Sequence, residues 1–69
     1  MRIGKVMYWD DLSGTGTLMD NKTRELFFVH YSAIQSNEEH KSLTVNSKVR
    51  FSTYNNAYSE KTKQVIEII

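Results

Sequence analysis

Polar and apolar residues alternate in short bursts along this chain, and no stretch of about ten residues keeps the three-and-four apolar spacing of an amphipathic helix. Five strands are predicted instead, near Arg2 to Asp10, Gly14 to Met19, Arg24 to Tyr31, Ser47 to Tyr54 and Lys63 to Ile68. They are rich in the Val, Ile, Phe, Tyr and Thr that a pleated, half-buried surface favours. Turn formers separate them: Asp20-Asn21-Lys22-Thr23, the long Gln35 to Asn46 segment, and Asn55-Asn56 onward. With no Pro and only three Gly, Asn, Asp and Ser must carry the tight turns. A helical turn over Ser32 to Gln35, with Ser32 as its cap, is expected to carry Ile34 under the sheet.

Alternation also assigns faces. If Val6, Gly16, Leu18, Phe27, Val29, Val49, Phe51 and Val65 point inward, then Thr15, Thr17, Phe28, His30, Arg50 and Ser52 point outward. Five antiparallel strands with one long connection between the third and fourth follow the order of an OB-type Greek-key barrel, a fold whose sheet face and loops bind oligonucleotides. The predicted fold class is therefore all-β, a five-stranded antiparallel OB-type Greek-key barrel forming a single domain over residues 1–69. No internal repeat, linker or low-complexity tract divides the chain.

Length and composition narrow this further. A 69-residue domain buries only about 60% of the surface its unfolded chain exposes, so its stability should be modest. Without Cys, neither a disulfide framework nor a thiolate metal site is available, and the fold must rest on its apolar core. Nine Lys and Arg against eight Asp and Glu give a formal charge of +1, far from the excess expected of a duplex binder held by phosphates. The N-terminal stretch has no signal-peptide pattern and the apolar runs are short, so the expectation is a soluble cytoplasmic protein with no membrane partner. A chain without Pro or Cys also lacks two slow folding steps. Refolding from denaturant should be one fast exponential phase in stopped flow, and a dominant phase of tens of seconds would contradict this.

Phe28, His30 and Tyr31 carry the strongest chemical signal. A Phe next but one to a His on the solvent side of a strand offers planar surfaces, which a sequence-tolerant single-strand binder needs for bases to stack on. These residues belong to the stretch Leu26-Phe27-Phe28-Val29-His30-Tyr31-Ser32-Ala33, which follows Ser13-Gly14-Thr15-Gly16-Thr17-Leu18 by a hairpin's length. With Gly4-Lys5-Val6-Met7-Tyr8-Trp9 upstream and Ile34-Gln35 downstream, these stretches resemble the cold-shock domain, a small barrel that binds single-stranded nucleic acid. The resemblance runs from about Gly4 to Val65.

What the resemblance implies is uneven along the chain. The family's second motif, usually Val-Phe-Val-His-Phe, contacts nucleotides through positions that read here Phe28, His30 and Tyr31. Tyr8 and Trp9 stand where the family has a Trp-Phe pair, and both rings can stack. The first motif, normally Lys-Gly-Phe-Gly-Phe-Ile, has lost its rings to Thr15 and Thr17 and its Lys to Ser13, and Met7 occupies another position that is usually Lys. After a one-residue insertion, His40 before Lys41-Ser42-Leu43 falls where the family carries a loop aromatic, although Glu38-Glu39 beside it repel phosphate. Tyr58 is a further ring in the final loop, and Lys5 and Lys61 are candidate phosphate neighbours.

Enzymatic readings find little support. Gly14-Thr15-Gly16 lacks the Lys-Ser/Thr and the helix of a phosphate loop, and two His without Cys on separate elements cannot make a zinc site without carboxylates. No catalytic residue, metal or cofactor is assigned. The function expected is binding of single-stranded RNA or DNA, RNA-chaperone-like and weak because of Thr15 and Thr17, through Tyr8, Phe28, His30 and Tyr31, with Lys5, Trp9, His40 and Tyr58 as secondary contacts. The alternative is a protein-interaction or homodimerisation module on the same barrel, using the apolar Val65 to Ile69 run as a contact strand.

Overall fold

A computed structural model describes residues 2–36, 41–54 and 61–68, except the side chains of Ile66 and Ile68. Five strands are present: β1 Arg2–Asp10, β2 Thr15–Asp20, β3 Leu26–His30, β4 Lys48–Thr53 and β5 Thr62–Ile68. They form one antiparallel sheet in the order β3-β2-β1-β4-β5. The sheet curls until its two outer strands meet, with parallel bridges pairing Phe28 with Lys61 and Ile34 with Val65. The Gln35 N–H donates to the Val65 carbonyl at 2.9 Å at this closure. The result is the expected all-β, five-stranded OB-type barrel.

All eight positions assigned inward by alternation are buried, and Val6, Leu18, Val29, Val49, Phe51 and Val65 are completely so. Phe27 and Phe51 meet in the core with ring centroids 5.5 Å apart and planes tilted by 59°. Ile34 and Leu43 complete it from the segment between β3 and β4. Burying this set is what a Cys-free domain of this size has to live on.

β1 breaks the period of two. Val6 pairs with Leu18 but Tyr8 pairs with Thr17, so Met7 is the extra residue of a β-bulge. Strict alternation from buried Val6 would turn Tyr8 inward. The bulge instead leaves Tyr8 55% exposed and packs half-buried Trp9 against the core. Trp9 lies over its partner Gly16, where an added Cβ would run into the Tyr8 carbonyl and come within 2.7 Å of the indole. A side chain at position 16 would therefore push the bulge apart.

Two local expectations need correction. The helical turn spans Tyr31–Ala33, earlier than Ser32 to Gln35, and its cap is His30 in extended conformation, not Ser32. The reason is donor geometry: the His30 ring nitrogen accepts the Ser32 N–H, the bond a Ser cap would otherwise have made further on. The turn between β2 and β3 is held by Asp20, whose Oδ1 accepts the N–H groups of Lys22 at 2.8 Å and Thr23 at 3.1 Å. Arg24, rather than an Asn or Gly, takes the left-handed conformation there, at φ 65°.

Candidate functional site

The outer face of β1, β2 and β3 is organised by register into three rows. Lys5, Met19 and Leu26 form one, Tyr8, Thr17 and Phe28 the next, and Asp10, Thr15 and His30 the third. Neighbouring strands lie about 4.8 Å apart, so Tyr8 and Phe28 stand roughly 10 Å apart with Thr17 between them. Both rings are open, Phe28 at 46% exposure. Thr15 and Thr17 are half-buried, and they floor the gap where larger side chains could have stood.

Tyr31 joins this face from the adjoining turn. Its N–H donates to the Gly14 carbonyl at 2.8 Å, and an added Cβ on Gly14, at φ 67°, would come within 2.6 Å of its ring. A glycine at position 14 thus lets the Tyr31 ring settle beside the β1–β2 turn. Tyr31 still leaves half its surface open, and its ring lies 4.3 Å from that of His30 with a 38° tilt.

His30 Nδ1 sits 2.8 Å from Ser32 Oγ and accepts the Ser32 N–H at 3.3 Å. Because a backbone N–H can only donate, Nδ1 is an acceptor and the neutral ring carries its proton on Nε2. The ring is held by the chain on one side and presents a donor on the other.

The remaining predicted residues are placed less uniformly. Lys5 is half-buried beside Met19 and is paired across the sheet with Lys48. The Trp9 indole N–H is committed to Asp11 Oδ1 at 2.9 Å, and its ring serves the core as well as the rim. Asp10 receives the Leu12 N–H at 3.0 Å and closes the β1–β2 turn, so that end of the face carries carboxylates. His40 and Tyr58 lie outside the described residues.

One ring was missed. Tyr54, just beyond β4, is 49% exposed and faces a cavity that it shares with Phe28 and His30. Its signal was present in the sequence, since the outward period of Arg50 and Ser52 continues to position 54. Among the described residues, no group of three or more His, Cys, Asp or Glu is placed to hold a metal, and no helix is long and apolar enough to cross a membrane.

The family model described as 'Cold-shock' DNA-binding domain matches residues 2–68. No curated protein matches the chain.

Proposed function

The chain belongs to the cold-shock domain family, a nucleic-acid-binding one, and from that premise we propose that it binds single-stranded RNA or DNA weakly, in an RNA-chaperone-like role. The observation that carries this reading is the open ring surface of β1 and β3: Tyr8 and Phe28 in one cross-strand row, with His30 and Tyr31 stacked beside them. Bases of any identity can lie against such rings, and His30 Nε2–H adds a donor for a base edge or phosphate. The weakness follows from Thr15 and Thr17, which offer no ring between those that remain.

Titrating Trp9 fluorescence with oligo-dT tests the reading, because a base settling beside the indole should quench it. Phe28→Ala and Tyr31→Ala should each cost about 1–3 kcal/mol of affinity, the worth of a base-stacking ring. Circular dichroism must show each variant folded. A folded variant that binds like the parent would remove that ring from the interface.

The protein-interaction alternative leaned on the C-terminal strand. β5 is paired with β4 along its length and bridged to Ile34 on its other side, with Val65 fully buried. Of the run that alternative used, the bridge to Ile34 and the Gln35 N–H occupy the outer edge at Val65.

A further inference from the structure

The barrel closes where Phe28 bridges Lys61, and beside that bridge lies a cavity of about 350 Å³. Phe28 and His30 enter it from β3, Tyr54 from just beyond β4, Lys61 from just before β5, and Thr62 and Lys63 from the start of β5. Two half-open rings, Phe28 and Tyr54, thus share one hollow across the seam. Among the described residues no carboxylate lines it, whereas two Lys do, which suits a phosphate and not a cation. Thr62 is buried in its wall with an Oγ1 that finds no hydrogen-bond partner among the described residues, a rare state for a buried hydroxyl. The volume falls at the small end of ligand sites, which span about 300–1,000 Å³, and is of a size for one nucleotide.

We propose that this seam cavity is an additional base-stacking subsite, in which one nucleotide of the single strand lies with its base between Phe28 and Tyr54 and its phosphate toward Lys63. The inference rests on the single-strand reading above and extends it from the β1–β3 face across the barrel's closure. Tyr54 then supplies, on the far side of Phe28, a ring of the kind that Thr15 and Thr17 do not. The strand's path follows: Tyr8, Phe28 and then Tyr54, rather than along β2.

Anisotropy of labelled oligo-dT at one fixed salt concentration tests this on the parent, Phe28→Ala, Tyr54→Ala, Tyr54→Phe and Lys63→Ala. Tyr54→Ala should bind about tenfold more weakly and Tyr54→Phe like the parent, because the ring is what the base uses. Lys63→Ala should lower the salt slope by about one. If Phe28→Ala weakens binding while Tyr54→Ala does not, the seam subsite is wrong and the single-strand reading stands. If the parent does not bind at all, both are overturned. Should Tyr54→Ala lose its fold, the amide resonances of Thr62 and Lys63 in the parent decide: movement on adding oligo-dT supports the subsite, and their staying fixed overturns it.

Discussion

Replacing Thr15 and Thr17 together by Phe should tighten oligo-dT binding by at least about tenfold. Thr17 stands midway between Tyr8 and Phe28, and Thr15 between Asp10 and His30, so both substitutions place rings on the face that already carries them. Each stacked base is worth about 1–3 kcal/mol, which gives roughly 2–6 kcal/mol for the pair. At 1.4 kcal/mol per decade that is on the order of 10- to 10⁴-fold. The lower end is the safer expectation for two local reasons. Asp10 sits beside position 15 and repels phosphate, and the 2.7 Å contact between the Ser13 and Thr15 hydroxyls is lost. Both are strand positions where an aromatic residue is favoured, so the fold should hold. The comparison belongs at a single salt concentration, since phosphate contacts would otherwise move both proteins. A folded double variant that gains nothing would show that β2 is not part of a nucleic-acid platform and would favour the protein-interaction reading.

The fold was legible in the sequence wherever geometry is local. The period of two is a property of the strand itself, and it placed Phe27 and Val29 inside and Phe28 outside with no knowledge of their partners. The bulge at Met7 was not legible, because it depends on how β1 meets β2. It forms against Gly16, whose missing side chain lets Trp9 drop toward the core, and nothing within β1 announces it. The resemblance to a known family put Tyr8 on the surface where strict alternation from Val6 would have buried it, and the extra residue is the physical reason the two readings differ. Arg24 is a similar case. Its residue type does not signal a left-handed backbone, which here accompanies the capped Asp20 turn, where the Arg24 N–H donates to the Asp20 carbonyl at 2.9 Å.

The candidate site divides the same way. Phe28, His30 and Tyr31 were recognisable because one short stretch holds them together. Tyr54 was not, although its face could have been counted, because its importance comes from a cavity that exists only once β3 and β5 meet. The cap at His30 was equally hidden: Ser is the better cap by type, and only the backbone direction at the end of β3 decides that the imidazole gets the N–H.

Asp20→Ala should cost about 2–4 kcal/mol of stability, a large part of what this domain has. One carboxylate serves three donors: the Lys22 and Thr23 N–H groups at Oδ1, and the Arg2 guanidinium at Oδ2, 2.9 Å away. Arg2 in turn lies 4.7 Å from the centre of the Phe27 ring, so the loss reaches the core's edge. Glu25, 3.6 Å from Arg2 and exposed, is a poor substitute. Hydrogen bonds to charged groups contribute about 1.5–3 kcal/mol each, and water at the exposed turn replaces part of this. At roughly 0.05–0.15 kcal/mol per residue the whole domain has on the order of 3–10 kcal/mol, and the expected fall in Tm is roughly 10–30 °C. The effect depends on pH with a definite sign. Burial pushes the Asp20 carboxyl up, but the Thr23 N–H, the Arg2 side chain, the Lys22 N–H and the Arg2 charge more than offset it, so its pKa lies below the ordinary carboxylate value. A group whose pKa is lowered by folding stabilises the folded state above its unfolded pKa, about 4, and that contribution drains away as the pH falls through the folded value. Thermal melts of the parent and of Asp20→Ala should therefore be furthest apart near neutrality and converge in acid. Asp20→Asn, which keeps the Oδ1 acceptor for the two turn N–H groups but loses the charge facing Arg2, should fall between them at neutral pH and show the flatter acid limb. A gap between parent and Asp20→Ala that is small at neutrality, or that persists unchanged in acid, would mean that the turn is held by its backbone alone and that the carboxylate is incidental to it.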